Sequence, residues 1–149
     1  PGLRIGWVIS NNETVEELWS YKDYISISHS ALSDQLAQLA LAPTKRTKIL
    51  ERTRTKLNHQ LPLVQAFFER HHNHMSWVPP KAGAIAYLKY TWDISSTELM
   101  TQLRERSGVL IVPGDHFKMG QYLRIGYGYN EQKLSEGLKR CSSLLETLS

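Results

Sequence analysis

Arg124 is the residue whose setting most invites chemistry. It stands at the centre of residues 122–128, a run of strand character that follows a Pro113-Gly114 turn. Side chains alternate between the two faces of a strand. Leu123, Ile125 and Tyr127 therefore share one face, and Tyr122, Arg124, Gly126 and Gly128 share the other. Two glycines following on its own face leave open space beside the guanidinium. A planar guanidinium in such a space grips a carboxylate through two parallel hydrogen bonds. The plainer alternative is an arginine that covers a sheet edge and pairs with a nearby Asp or Glu.

The tetrapeptide Leu-Arg-Ile-Gly occurs twice, at residues 3–6 and 123–126. The flanks differ, so this is no internal repeat. Residues 1–9 read as a strand with Leu3, Ile5 and Trp7 on one side and Arg4 and Gly6 on the other. Two arginines, each beside a gap made by glycine, point to a ligand or ligand pair with two anionic ends.

These side chains need a scaffold, and the sequence carries the signals for one. Asn12 reads as the cap of a helix with Glu13, Glu16 and Glu17 in its first turns and Val15, Leu18 and Trp19 as its apolar stripe. Residues 24–28 alternate, YISIS, with Ile25 and Ile27 on one side. Ser30 caps a second helix carrying Leu32, Leu36, Leu39 and Ala40, which Pro43 stops. Residues 44–74 read as one long helix with Ile49, Leu50, Leu57, Leu61, Val64, Phe67 and Phe68 in its buried stripe. Pro62 lies inside it, lacks the N–H that would bond the Asn58 carbonyl, and predicts a kink. After Pro79-Pro80 the pattern is that of a small α/β domain. It has a strand over residues 84–90, a capping box at residues 95–98 opening a helix that Gly108 ends, the two strands around Arg124, and a last helix capped by Asn130.

Other residues with chemical potential have plainer roles. Lys45, Arg46, Lys48, Arg52, Arg54 and Lys56 stand against only Glu51, as a nucleic-acid-binding helix would. No aromatics interleave and no second recognition element follows, so a solvated helix face accounts for the run. His71, His72 and His74 lack the further ligands a metal needs. Cys141 lies on the apolar line Leu134, Leu138, Leu145, Leu148 and reads as packing. Asp115 and His116 sit where a turn needs them. Ser26, Ser28 and Ser30 read as turn and cap chemistry.

The residues around the two arginines also carry a resemblance. Residues 1–7, PGLRIGW, resemble the segment that follows the Schiff-base lysine in pyridoxal-phosphate (PLP) enzymes of the aspartate aminotransferase superfamily, fold type I. Gly108-Val109, Val112-Pro113-Gly114, Phe117 and then residues 123–126 resemble that family's carboxy-terminal signature. The resemblance runs along the whole chain in the right order. It implies that Arg4 holds the phosphate of pyridoxal 5'-phosphate, that Arg124 holds the substrate α-carboxylate, and that Gly83 lets the backbone approach the substrate.

It implies an α/β fold in three parts: residues 1–43 as the end of the large domain, 44–74 as the connecting helix, and 75–149 as the small carboxy-terminal domain. The lysine is expected upstream of Pro1, and the chain opens in mid-motif with Pro. The expectation is therefore a carboxy-terminal fragment, inactive by itself, of a cytoplasmic homodimeric aminotransferase acting on an amino acid and a 2-oxo acid. A lyase or cyclase of the same fold is the alternative, and residues 21–25, YKDYI, are faintly similar to members that cyclise amino acids. A non-catalytic basic binding module is the third reading.

Composition sets loose bounds. The chain has 149 residues, 41% hydrophobic and 21% charged, which is enough apolar content for a core. A net charge of +4 permits an anionic partner without demanding one. One cysteine excludes an internal disulfide, and no run of apolar residues is long enough for a membrane-spanning helix. The sequence predicts no nucleic-acid partner, no membrane and no metal.

Overall fold

The computed structural model describes residues 2–148. They divide into two compact units, one through Arg52 and one from Thr53 onward.

The first unit holds two helices and the start of a third. Helix α1, Asn12–Ile25, is capped by Asn11, whose Oδ1 accepts from the Thr14 N–H at 2.8 Å. The cap is thus one residue earlier than the sequence predicts, the neighbouring asparagine having taken it. The alternating run 24–28 is no strand. Tyr24 and Ile25 complete α1, because the Ser26 N–H bonds the Lys22 carbonyl and the Lys22 ammonium closes on the Ser26 carbonyl at 2.7 Å. A five-residue alternation is too short to outweigh a helix already propagating.

Helix α2, Ala31–Leu41, starts at Ser30, whose Oγ accepts from the Ser33 N–H. It ends at Ala42, which is extended with ψ 133° as a residue before proline prefers. Pro43 then takes the first position of helix α3, Pro43–Arg70, where a missing N–H costs nothing.

The strand expected over residues 1–9 is not there. Pro1 lies outside the described residues; Gly2 and Leu3 make a turn, and residues 4–10 have no regular structure. Arg4 has φ +53°, which breaks the alternation on which its predicted facing depended. Among the described residues no strand pairs with this segment, and a strand without a partner leaves its backbone groups unsatisfied.

The second unit is built on a four-stranded antiparallel sheet in the order β1-β2-β4-β3: β1 Met75–Trp77, β2 Ile85–Tyr90, β3 Val112–Pro113 and β4 Tyr122–Gly126. Helix α4, Ser96–Ser107, links β2 to β3, and helix α5, Glu131–Leu145, follows β4. The register sets Ala86 beside Ile125 and Leu88 beside Leu123. With Tyr90 and Tyr127 these fill one face and are buried. Val64 and Phe67 of α3, Leu99 and Leu103 of α4, and Leu138, Cys141 and Leu145 of α5 complete the core.

The caps are those the sequence signals. Ser95 Oγ accepts from the Glu98 N–H, Gly108 ends α4 with φ +65°, and Asn130 Oδ1 accepts from the Lys133 N–H. A left-handed residue at that position is cheapest as glycine.

Helix α3 stops four residues short of the predicted end. Residues 71–74 form turns instead, with the His71 imidazole buried and its Nε2 2.9 Å from Ser142 Oγ. The predicted stripe of α3 is buried only in its second half, since Ile49 is exposed while Val64 and Phe67 are not.

Candidate functional site

Arg124 lies on β4, an interior strand, so it does not guard a sheet edge. Its neighbours across the ladders are Tyr87 on β2 and Val112 on β3. The core takes Leu123 and Ile125, which leaves Arg124 on the opposite, partly open face together with Tyr122, Tyr87 and Lys89. Among the described residues no carboxylate pairs with it; the ion pairs join His29 to Asp34, Arg104 to Glu105 and Arg140 to Glu136. Its guanidinium carbon lies 5.8 Å from the centre of the Phe117 ring. Tyr87 meets Phe117 edge-on at 6.1 Å and Tyr122 at 6.4 Å, so the arginine stands in an aromatic surround. Arg124 is also among the residues lining a cavity of about 790 Å³ between residues 108–112 and α5, which includes Lys133, Glu136 and Arg140 but not Tyr87, Phe117 or Tyr122.

The two glycines beyond Arg124 differ. A Cβ on Gly126 would meet nothing within 4 Å, so the predicted gap is real there. A Cβ on Gly128 would collide with the Ala84 methyl at 2.7 Å and press on Leu57 at 3.2 Å. Gly128 is therefore a close-packing residue and contributes no open space, a correction to the sequence reading.

Gly83 precedes β2 at the sheet end where β4 finishes. Its φ of +82° favours glycine, and a Cβ there would meet nothing within 4 Å. Its carbonyl accepts the Tyr127 hydroxyl at 2.8 Å, which fixes the turn.

Arg4 belongs to the first unit. It is exposed, and Gly2 and Gly6 on either side have empty space where a Cβ would be. Backbone strain at a non-glycine residue is a recurrent mark of functional segments. An exposed cation on a bared, glycine-flanked backbone fits a phosphate. The structure thus places Arg124 on the sheet and Gly83 in the bend leading into it, and Arg4 in the other unit.

Several of the remaining chemically able groups are occupied. Cys141 is buried and burial pushes its thiol up to about 12, so it is no nucleophile. Asp115 Oδ2 accepts from both the N–H and Oγ1 of Thr97, at 2.9 and 2.7 Å. Those bonds hold its carboxyl below the ordinary aspartate range. Lys22 caps α1, as described above. Among the described residues no group of three or more His, Cys, Asp or Glu gathers as metal ligands. Among the described residues no helix is long and apolar enough to cross a membrane.

Sequence reasoning missed the surround of Arg124. Alternation marks Tyr122, but only the register brings Tyr87 opposite, and only the turn after β3 brings Phe117 alongside.

Arg124 thus stands on an interior strand of an α/β unit with no carboxylate paired to it among the described residues. The chain belongs to the aminotransferase class I and II family, whose model matches residues 1–140. Capreomycidine synthase of Streptomyces vinaceus is 30% identical over 147 residues, covering 99% of this chain and 37% of that protein. A crystal structure of a PLP-dependent aminotransferase from Streptococcus suis superposes with a TM-score of 0.87 at 32% identity, covering 100% of this chain and 39% of the other. The HTH-type transcriptional regulator YdfD of Bacillus subtilis is 27% identical over 153 residues, covering 100% of this chain and 32% of that protein. The chain thus spans well under half the length of these relatives. Its fold is that of the PLP-dependent aminotransferases, and the family implies pyridoxal 5'-phosphate as cofactor.

Proposed function

We propose that this chain is the carboxy-terminal part of an aminotransferase that moves an amino group between an amino acid and a 2-oxo acid. In that protein residues 1–43 end the large domain, residues 44–74 connect, and residues 75–149 form the small domain. The Schiff-base lysine then lies upstream of Pro1, and the chain by itself is inactive. Homodimerisation and a cytoplasmic setting belong to the same reading.

One observation carries it: Arg124 stands on the partly open face of an interior strand with, among the described residues, no carboxylate paired to it. Bound PLP supplies the electron sink for breaking a bond at the substrate Cα. Arg124 grips the α-carboxylate and so sets which Cα bond is presented for cleavage. Arg4 holds the cofactor phosphate and keeps the ring from drifting. Gly83, lacking a Cβ, leaves its backbone open to the substrate.

The test is Arg124→Ala in the complete PLP-loaded protein. Turnover of amino acids collapses while cofactor absorbance stays intact; turnover equal to wild type would end the assignment.

A second reading is a PLP-dependent cyclase of the same fold, since the PLP-dependent cyclase OrfR superposes on this chain with a TM-score of 0.86 at 23% identity, covering 100% of this chain and 40% of the other. The products separate the two. A 2-oxo acid with aminated cofactor supports transfer, and a cyclised amino acid supports the alternative.

A further inference from the structure

An arginine without a carboxylate beside it needs something else to fix where its guanidinium points. Unheld, the side chain would sample many rotamers and lose that freedom on gripping an anion, which weakens binding. Phe117 meets this need, since its ring lies within cation–π range of the guanidinium, at 5.8 Å. Unlike an aspartate, a phenyl face steadies the cation while leaving its hydrogen-bond fork free for a ligand.

Phe117 is itself 48% exposed and would be mobile on a free loop. It is carried instead on a one-turn 3-10 helix, Gly114–Phe117, that is fastened at several points. Asp115 accepts both Thr97 donors at the start of α4, where the helix dipole favours a carboxylate. The Asp115 N–H donates to the Oγ of fully buried Ser96 at 2.9 Å. The Met119 N–H closes the turn on the Gly114 carbonyl at 3.0 Å. Gly114 sits so close to the backbone of Met119 and Tyr122 that a Cβ would strike both carbonyls. The edge-on ring of Tyr87 braces the phenyl from the sheet.

We infer that Phe117 is a positioning residue for Arg124, and that Asp115 is a second one acting through Phe117 by pinning its turn to α4. The inference rests on Arg124 being the α-carboxylate residue.

The experiment titrates the complete PLP-loaded protein with the standard L-amino acids and with their α-carboxamides, following cofactor absorbance and turnover. Phe117→Leu raises half-saturation by the acids about 3- to 10-fold with maximal rate held within about twofold, while the amides are unaffected. Phe117→Tyr restores acid affinity, since it returns an aromatic face. Asp115→Asn shifts affinity in the same direction by about two- to threefold and adds nothing in the Phe117→Leu background, as two residues in one chain of action should.

Acid affinity unchanged in Phe117→Leu, while Arg124→Ala has lost its preference for acids over amides, would overturn the positioning role and leave the function standing. So would an equal loss for acids and amides, the mark of simple packing damage. Should Arg124→Ala keep the preference for acids, both readings fall together.

Discussion

The two units are built on different terms. The first shows every local sign of order: Asn11 and Ser30 cap its helices, Lys22 closes α1, and Pro43 opens α3. Yet none of its described residues is buried, and Trp7, Trp19 and Tyr24 are more than half exposed. The second shows the same caps and encloses Leu88, Leu99, Leu103, Leu123 and Leu145 at 0% exposure. Local signals thus shape helices in both units, while only one of them has a core of its own. Helices gain most of their stability from packing an apolar face, so the second unit carries the stability of this chain.

The largest effect that probes this contrast is in the core. Leu123→Ala is expected to destabilise the chain by about 2–5 kcal/mol, read from the denaturant midpoint. Leu36→Ala in α2 should move the same midpoint by less than about 0.5 kcal/mol. Comparable losses at both would break the contrast. Next comes Arg124→Ala in the complete protein, which should weaken the transition-state interaction with amino acids by about 2–5 kcal/mol in kcat/KM. Its effect on the denaturant midpoint should be far smaller, because its face is not the core.

Caps come third. Ser95→Ala should cost about 1 kcal/mol in the unfolding of the second unit. Asn11→Ala should leave that transition unmoved while lowering helicity measured by circular dichroism.

The smallest effect is the pH response at His71. Burial holds its imidazole below the ordinary histidine range, against the pull of Glu146, while Arg70 and His74 add to the lowering. The folded state therefore takes up its proton less readily than the unfolded one. Stability is complete above about 6.5, the ordinary histidine value, and falls as pH drops below it toward the lowered native value. Midpoints at pH 7.5 and 5.5 should differ in that sense, and His71→Gln should reduce the difference. A midpoint that rises on acidification would contradict the account of His71.

What the sequence made legible was local or periodic. Ser95, Gly108 and Asn130 announced their caps because capping needs a particular residue within three or four positions. The facing of residues 122–127 followed from a period of two, which a paired strand enforces. The strand expected over residues 1–9 misled for the same reason, since alternation means nothing without a partner strand. The surround of Arg124 stayed hidden because it is tertiary. Asp115 meets Thr97 across 18 residues, and Tyr87 meets Arg124 through a register that neither strand encodes alone. Gly128 looked like Gly126 until Ala84 was found packed against it.

The most direct measurement is a crystal structure of the complete protein with an N-phosphopyridoxyl amino acid. The Arg124 fork is expected on the α-carboxylate through two hydrogen bonds of about 2.7–2.9 Å, with Arg4 on the phosphate. An α-carboxylate held by other residues, with Arg124 turned away from the ligand, would contradict that placement.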